Sequence, residues 1–193
     1  MDTPPFFAPT DYTTGELTIR TYLPGDGAAL RAATSASYEH LRPWMPWARA
    51  EQTVEEAEAI CRRFYAQYLL NENYGLGIWR GDALAGGTGF HPGEEGLAQR
   101  TAAVGMWISA AEAGRGLGTR ALAAMLRWGF EAWGWERLVW TCDVRNVASA
   151  RVAEKNGMTR EAVLRSDRLD VDGLRRDTYL YAILRSEWLA AQR

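Results

Sequence analysis

A glycine-rich turn separates a strand-like segment from a helix-like segment in the second half of the chain. It reads Ala113-Gly114-Arg115-Gly116-Leu117-Gly118-Thr119-Arg120, between apolar residues 101–108 and an amphipathic stretch over 119–133. Glycine tolerates positive φ and lets a ligand approach the backbone. A helix N-terminus offers an anion free N–H groups and the positive end of a dipole. We interpret the turn as a pyrophosphate cradle, supported by the charges of Arg115 and Arg120.

Other glycine-rich phosphate motifs fit this turn less well. A Walker loop requires Lys-Ser or Lys-Thr after its last glycine, whereas this chain has Thr119-Arg120. A dinucleotide fingerprint would place its third glycine at Thr119 and would follow the first strand of a parallel sheet. This turn lies past the middle of the chain. A flexible loop that binds nothing is the remaining alternative.

Composition limits the classes of protein to consider. The chain has 193 residues and a net charge of −2, which favours one ordinary domain and does not suggest nucleic acid or membrane binding. Cys61 and Cys142 have no metal-ligand spacing, so we expect reduced structural thiols in the cytoplasm. No apolar run reaches the ~20 residues that span a bilayer, and the N-terminus is unlike a secretory signal. We predict an irregular arm over 1–15 and one domain over 16–193.

Periodicity and turn chemistry predict the elements of that domain. Thr53 and Glu56 form a capping box that starts a helix running to about residue 70. The apolar run 138–142 is typical of a buried strand, parallel to the strand before the glycine turn and joined to it by a helix. A short helix then ends at Gly157. The other predicted strands are 17–23, 74–80, 84–90, 101–108, 159–169 and 174–184.

The segment from Tyr38 to Trp47 is harder to interpret. Two prolines interrupt it, yet it carries Trp44, Met45 and Trp47. A loop with so much apolar surface must cover something or be covered. It is either a lid over the core or a wall of a pocket for an acceptor molecule.

The order of these elements resembles the GNAT acetyltransferase superfamily, and particular motifs resemble its RimJ/RimL-type branch. The resemblance extends over about residues 16–185. It rests on four motifs, which are Leu41-Arg42-x-Trp44-Met45-Pro46-Trp47, Ala113-x-x-Gly116-x-Gly118, Asn146-x-x-Ser149 with Glu154-Lys155-x-Gly157-Met158, and Asp172-Gly173 with Asp177-x-Tyr179-x-Tyr181-Ala182. The resemblance implies an α/β fold with a mixed sheet of about seven strands and helices on both faces. It also implies a cytoplasmic acetyl-CoA-dependent N-acetyltransferase in which the amine attacks the thioester directly.

The resemblance assigns contacts with acetyl-CoA to three segments. They are Met106, Trp107 and Ile108, whose backbone would hold the oxyanion; Ala113, Gly114, Arg115, Gly116, Leu117, Gly118 and Thr119; and Asn146 with Ser149. Two positions depart from the family pattern. Ala113 replaces the usual Gln or Arg, and Ala153 replaces a tyrosine that protonates the leaving thiolate. Ser149 is then the candidate proton donor, while Asn146 is an N-cap, a contact of the pantetheine arm, or both.

The acceptor amine is open to several interpretations. Deprotonating a lysine side chain near pH 7.5 costs about 4 kcal/mol, whereas deprotonating an α-amine costs less than ~1 kcal/mol. No strong base is evident among Glu39, His40, Asp167 and Asp170, which favours a protein N-terminus, as the RimJ/RimL resemblance also does. Trp44, Trp47, Glu39 and Asp167 are the predicted substrate contacts. A small-molecule acetyltransferase and a silent CoA-binding domain are alternatives.

Two further expectations concern chemistry and assembly. Cys142 lies in an apolar strand, where a thiolate is disfavoured, so we do not expect a nucleophilic cysteine. Aromatic side chains of the tryptophan loop (Tyr38–Trp47) and of the last hairpin (strands 159–169 and 174–184) are candidate partner surface, which favours a homodimer.

Overall fold

The computed structural model describes residues 6–94 and 96–193. Its central feature is a mixed sheet with helices on both faces. The strands are β1 (Asp11–Thr14), β2 (Leu17–Thr21), β3 (Tyr74–Arg80), β4 (Ala83–His91), β5 (Thr101–Ile108), β6 (Arg137–Asp143), β7 (Thr159–Leu169) and β8 (Arg175–Leu184). The α-helices are α1 (Gly27–Ala36), α2 (Tyr38–Leu41), α3 (Val54–Leu69), α4 (Gly96–Gln99), α5 (Leu117–Trp128), α6 (Val147–Lys155) and α7 (Arg185–Ala191).

The sheet has the strand order β1-β2-β3-β4-β5-β6-β8-β7. Neighbouring strands are antiparallel except β5 and β6, which run parallel and are connected through α5. This confirms the predicted parallel pair, because a parallel connection needs a crossover that returns the chain to the same end of the sheet. The mixed α/β fold class predicted from the sequence is also confirmed.

The sheet contains eight strands, one more than the predicted number of about seven. The additional strand is Asp11–Thr14, which pairs with β2 through a turn at Gly15 with φ of 57°. The irregular arm predicted over 1–15 is therefore wrong for these residues, and residues 1–5 of that arm lie outside the described part of the chain. The strand gave no periodic signal because it is an edge strand whose residues are mostly exposed.

Each face of the sheet packs against different helices. On one face, Leu122 and Met125 of α5 are buried against Leu76 and Val104. On the other face, α1 and α3 enclose a second cluster that contains Tyr22, Leu30, Ala57, Cys61, Trp79 and Leu84. The start of α3 is fixed by the predicted capping box, in which the Glu56 N–H donates to Thr53 Oγ1 at 3.1 Å and the Thr53 N–H donates to Glu56 Oε2 at 2.8 Å.

Glycines in the central strands allow rings to lie flat on the α3 face. A Cβ on Gly75 would stand 2.8 Å from Phe64 Cδ1, and a Cβ on Gly105 would stand 2.8 Å from His91 Nε2. Glycine normally weakens a strand interior, and here it marks places where another group approaches the backbone closely. On the α3 face of the sheet, the rings of Phe64 and His91 therefore pack directly against the backbone of the strands.

No helix within the described ranges is long and apolar enough to cross a bilayer.

Candidate active site

A cavity lies where β5 and β6 diverge. The two strands pair over three positions, from Thr101 opposite Arg137 to Ala103 opposite Val139. Beyond Ala103, β5 remains paired with β4 and β6 with β8, so one edge of β5 faces a cavity of about 700 Å³ rather than a strand. Backbone groups on an edge of this kind need hydrogen-bond partners, and a ligand can supply them. Predicted cofactor contacts Met106 and Trp107 are on this wall.

The predicted phosphate cradle forms the first turn of α5. Gly114 and Gly116 have φ of 75° and 76°, a conformation that other residues rarely adopt. Within residues 6–94 and 96–193, no protein group accepts a hydrogen bond from the backbone N–H of Gly116, Leu117, Gly118 or Thr119. Four free donors at the positive end of a helix suit an anion such as a pyrophosphate.

Ion pairs hold the glycine turn against the sheet. Arg80 at the end of β3 donates to Glu112, just before the turn, at 2.7 Å and to Glu16 at 2.8 Å. Arg120 folds back over the turn, donates to the Arg115 carbonyl at 3.2 Å and lies 3.4 Å from Glu16. The Arg120 charge, which the sequence assigned to the anion, is thus shared with Glu16, whereas the Arg115 side chain is exposed.

Gly118 and Thr119 connect the cradle to its surroundings. A Cβ on Gly118 would lie 3.4 Å from Val152 of α6 and 3.6 Å from Ile108 of β5. A Cβ at Gly118 would thus make ordinary van der Waals contacts with α6 and β5, whereas a Cβ at Gly114 would meet no atom within 4 Å and one at Gly116 only Arg120 Nη1 at 3.8 Å. The Thr119 carbonyl accepts a hydrogen bond from Asn156 at 3.2 Å, so α6 is fixed to the first turn of α5.

The N-terminus of α6 reaches the cavity with two of the predicted residues. Asn146 Oδ1 accepts the Ser149 N–H at 3.0 Å, which confirms the N-cap interpretation of Asn146. Ser149 Oγ accepts a hydrogen bond from Trp140 Nε1 at 3.1 Å. The hydroxyl oxygen is therefore an acceptor towards Trp140, and its own proton is not used in that bond and points to the side where Cys142 lies. Both Asn146 and Ser149 line the cavity.

Both cysteines are buried and free. Burial raises the pKa of the Cys142 thiol, although this residue lines the cavity next to Ser149. Burial likewise raises the pKa of Cys61 to about 12. A thiolate is thus disfavoured at both positions, as expected from the apolar sequence around Cys142.

The tryptophan loop forms the outer wall of the cavity. Trp44 and Trp47 line it, and the ring centroid of Trp47 is 5.9 Å from that of Trp107. The two side chains are 36% and 48% exposed, so they border the opening and do not close over the core. This arrangement favours the acceptor-wall interpretation over the core-lid interpretation. Substrate binding by these residues stays a prediction.

Two predicted acidic contacts do not line the cavity. The Glu39 side chain is 81% exposed and 3.9 Å from Arg42, because it points to solvent from the short helix α2. Asp167 pairs with its neighbour Arg168 at 3.3 Å and is also absent from the cavity wall. His40 is exposed beside Glu39 and does not line the cavity either. The structure thus separates these residues from the other predicted site residues.

The two carboxylates that do line the cavity are already paired. Asp170 accepts the N–H groups of Leu174 and Asp172, and it accepts a hydrogen bond from Arg145 at 3.0 Å. The backbone hydrogen bonds and Arg145 hold the pKa of Asp170 below its usual value. Burial tends to raise the pKa of Asp143, but hydrogen bonds from Arg145 outweigh this effect and lower it. Neither carboxylate is a good proton acceptor near neutral pH.

His91, which the sequence reasoning missed, also lines the cavity. It ends β4, and its ring lies over Gly89 and Gly105. Its Nδ1 is 2.6 Å from Asn73 Oδ1. His91 is exposed at the cavity, and desolvation by the protein groups packed around its ring lowers its pKa. The only sequence signal is a lone histidine at the end of a glycine-rich strand, and this pattern is common in proteins without catalytic histidines.

The cavity wall carries more positively than negatively charged side chains. Its charged side chains are four arginines and two aspartates, namely Arg49, Arg63, Arg168, Arg176, Asp143 and Asp170. The described residues also hold no group of three or more His, Cys, Asp or Glu side chains suited to a metal ion. A polycationic acceptor would therefore meet excess positive charge in this cavity.

The donor set fits an acyl-CoA thioester. The helix start offers N–H groups to a pyrophosphate, and the open β5 edge offers backbone groups to an extended, amide-containing arm. These donors belong to the main chain, so Ala113 in place of the usual Gln or Arg does not remove them. Ser149 stands at the other end of the path, inside the cavity.

A helix-start anion site beside two diverging strands defines an acyl-CoA-dependent transferase, and the chain belongs to the GNAT family of acetyltransferases. Residues 16–159 match the family model described as the acetyltransferase (GNAT) domain. The chain is accordingly an acetyl-CoA-dependent N-acetyltransferase, as predicted.

Among its relatives is a protein of Bacillus subtilis (strain 168) named "Putative ribosomal N-acetyltransferase YdaF", which is 27% identical over 173 residues, covering 89% of this chain and 93% of the relative. The structure of Mycobacterium smegmatis RimJ in complex with CoA-disulfide is 27% identical, with a TM-score of 0.78 and coverage of 92% of this chain and 90% of that one. The structure of RimL, a ribosomal L7/L12 alpha-N-protein acetyltransferase in complex with coenzyme A, has a TM-score of 0.79 at 21% identity, covering 89% and 95% of the two chains.

Proposed function

We propose that this enzyme acetylates the N-terminal α-amine of a protein, with a ribosomal protein as the first candidate. The observation that carries the proposal is the lack of an uncommitted carboxylate on the described cavity wall, where Asp143 and Asp170 are both paired with Arg145. A site without a carboxylate base suits an α-amine, whose pKa of about 7.7–8.0 leaves a useful neutral fraction at pH 7. The names of YdaF and RimL support the same class of acceptor.

The backbone would hold acetyl-CoA along a path from α5 to α6. The free N–H groups of Gly116 to Thr119 suit its pyrophosphate, and the β5 edge at Met106–Ile108 suits the arm and the thioester carbonyl. Backbone donors aimed at a carbonyl oxygen stabilise the negative charge that develops as an amine attacks. Acetyl-CoA supplies the acetyl group and leaves as the CoA thiol.

Ser149 is the proposed proton donor to the departing sulfur. Its oxygen is held by Trp140 Nε1 in a bond that does not use its proton. Ala153, where many family members have tyrosine, is fully buried and carries no dissociable proton. Asn146 fixes the helix turn on which Ser149 stands and is placed to contact the arm of the cofactor.

The acceptor site lies between the tryptophan loop and the α3 face of the sheet. Trp44 and Trp47 border its opening, and Arg49 and Arg63 give it positive charge. This charge disfavours polyamines and aminoglycosides, which are polycations. A peptide N-terminus carries a single charge and can extend out through the opening.

A panel of amines tests the proposal by thiol release from acetyl-CoA. The panel holds peptides with Ala or Ser at the N-terminus, the same peptides N-terminally blocked but with an internal lysine, and free polyamines and aminoglycosides. We expect turnover of the free N-termini and at least about tenfold slower turnover of the lysine peptides. Turnover confined to polyamines or aminoglycosides would contradict the proposal and favour a small-molecule acetyltransferase. Tight acetyl-CoA binding without any turnover would instead indicate a silent domain.

We also propose that the enzyme acts in the cytoplasm, where ribosomal proteins are, and that it forms a homodimer. The aromatic side chains of the last hairpin are not the exposed surface expected from the sequence, because Tyr181 is buried and Tyr179 half-buried. The hairpin instead presents Leu169, Val171 and Leu174 with exposures of 53%, 42% and 64%. An exposed cluster of apolar side chains on an edge hairpin suits a partner surface. Sedimentation velocity measures the assembly, and a monomer at all concentrations would contradict it.

A further inference from the structure

We infer that His91 Nε2 accepts the proton of the acceptor amine, with Asn73 as the residue that positions the ring. This inference rests on the proposed function, because it requires an amine acceptor on the α3 face of the sheet. It adds a catalytic residue that the family motifs in this sequence do not include.

The contact with Asn73 sets the tautomer of His91. Nδ1 of His91 lies 2.6 Å from Asn73 Oδ1, and an amide oxygen can only accept a hydrogen bond. With the Asn73 amide in this orientation, Nδ1 carries the proton in the neutral ring. Nε2 is left with its lone pair, so it is the nitrogen that can accept a proton from a ligand.

Glycines set the position of Nε2. It would be 2.8 Å from a Cβ on Gly105 and 3.2 Å from a Cβ on Gly89, so the ring lies flat on the sheet. Gly105 lies in the open part of the β5 edge, which begins after Ala103 and faces the cavity, and it immediately precedes Met106. Nε2 is therefore next to the segment that would hold the thioester carbonyl, on the face from which the acceptor approaches.

The surroundings of His91 favour its neutral form. The ring packs on uncharged backbone of β4 and β5, and Asn73 is uncharged. Desolvation lowers the pKa of His91 below its usual value of about 6.5. The titratable and charged side chains that share the cavity are Tyr22, Arg49, Arg63, Cys142, Asp143, Arg168, Asp170 and Arg176. Each aspartate among them is already paired with arginine, so an uncompensated anion does not raise the pKa of the ring.

The reaction balances with one proton on His91. The bound ammonium gives one proton to Nε2, and the nitrogen lone pair then forms the C–N bond to the acetyl carbon. The C–S bond breaks, and its electron pair leaves with sulfur. The second proton lost by nitrogen reaches the sulfur through the Ser149 hydroxyl, which gives one proton and takes one. His91 finally releases its proton to solvent, so the products are the amide, the CoA thiol and one proton.

This assignment also explains the preference for an α-amine. A histidine whose pKa lies below about 6.5 is at least about 1.2–1.5 units below an α-amine and at least about four units below a lysine. Proton transfer to His91 is therefore accessible from an N-terminus and much less so from a lysine side chain. The low basicity of His91 therefore accounts for the preference for an α-amine over a lysine side chain.

The variant His91→Gln tests the inference, and His40→Gln is its matched control because the chain has two histidines. With the amine that the wild type acetylates best, we expect His91→Gln to lower kcat by about 10²–10⁴ at pH 7. The deficit should shrink towards pH 9.5, because the acceptor then loses its proton to solvent. His40→Gln should change kcat by less than about twofold, since His40 is exposed outside the cavity. Melting temperature and acetyl-CoA affinity establish that His91→Gln remains folded.

Asn73→Asp adds a readout that a structural role would not move. A carboxylate beside Nδ1 favours the charged ring, so the pKa of His91 should rise. The acid limb of the kcat profile should then shift to higher pH, because the ring must lose its proton before it can act as a base. The imidazole signals of the two histidines in NMR titrations, assigned with His91→Gln, should show the same shift.

The outcomes separate the inference from the proposed function. A loss under about threefold in His91→Gln, or a loss that is the same at every pH, overturns the role of His91 while turnover of N-termini by the wild type still supports the proposed function. A wild type that acetylates only small amines overturns the proposed function, while a pH-dependent loss in His91→Gln still supports His91. A wild type without turnover on any amine overturns both.

Discussion

The two sides of the cleft use different parts of the polypeptide to face a ligand. On the α5 side, the groups are backbone N–H donors presented by Gly116 and the residues after it, and by the open edge of β5. On the α3 side, the groups are side chains from distant segments, including Trp44, Trp47 and His91. The first arrangement depends on backbone conformation, and the second depends on which side chains the fold brings together. Binding of acetyl-CoA should therefore depend on a few glycines, whereas acceptor choice can change with substitutions that leave the fold intact.

The largest effect is expected where the two sides meet, at Ser149. Ser149→Ala should lower kcat by about 10²–10⁴ with little change in the KM for acetyl-CoA, because it removes the proton donor to sulfur but no backbone donor. Steady-state kinetics with the preferred amine measure both constants. Trp140→Phe is the matched control: it removes the hydrogen bond to Ser149 but keeps the hydroxyl, so most of the activity should remain. A loss under about threefold in Ser149→Ala would leave the serine a packing role only.

A smaller effect, confined to the cofactor side, is expected for Gly116→Val. The substitution forces a β-branched residue to φ of 76° and disturbs the free donors of the first turn of α5. We expect acetyl-CoA affinity to fall about 100-fold, which corresponds to roughly 2.7 kcal/mol. Calorimetric titration measures the affinity.

Gly173→Val is the control for Gly116→Val. Gly173 has φ of 77° and no atom within 4 Å of its Cβ position, but it lies in the last hairpin, away from the cradle. It suffers similar backbone strain, so it should lose stability without losing acetyl-CoA affinity. Equal losses of affinity in the two variants would break the comparison, because strain alone would then explain both.

The smallest effect is expected at the acceptor wall. Trp44→Ala should raise the KM for the acceptor about tenfold, or roughly 1.4 kcal/mol, and leave the KM for acetyl-CoA within about twofold. Leu70→Ala is a suitable control, because Leu70 is 66% exposed and does not line the cavity. If the KM for the acceptor and the KM for acetyl-CoA both rose, the tryptophan loop would contribute to binding of both substrates and not to the acceptor side alone.

Much of the fold could be predicted because its signals are local. The capping box at Thr53 and Glu56 fixes the start of α3 through bonds three residues apart. The apolar run in β6 indicated a buried strand joined to β5 by a crossover helix; the helix and the parallel pairing are present, but burial is incomplete on one face, where Thr141 is exposed on the cavity wall. β1 gave no such signal: it is short, exposed and defined by pairing with β2. Local chemistry is visible in a sequence, whereas pairing at a sheet edge is decided by the rest of the sheet.

The same distinction applies to the site. The glycine turn and the Asn146–Ser149 pair were found because backbone conformation and helix capping restrict residue types at fixed spacing. His91 was missed because its partners, Asn73 and Gly105, come from other strands and loops. Glu39 and Asp167 were chosen for their charge and their sequence neighbours. Their side chains instead pair with Arg42 and Arg168, next to them on the surface.

The early end of the β5–β6 pairing has a consequence for how the protein behaves in solution. After Ala103, the middle of the sheet carries a strand edge of the kind that usually occurs at its rim. Unprotected edges recruit strands from other molecules and start aggregation. A ligand that lies along this edge occupies the backbone groups that another strand would otherwise pair with, so binding there also protects the edge.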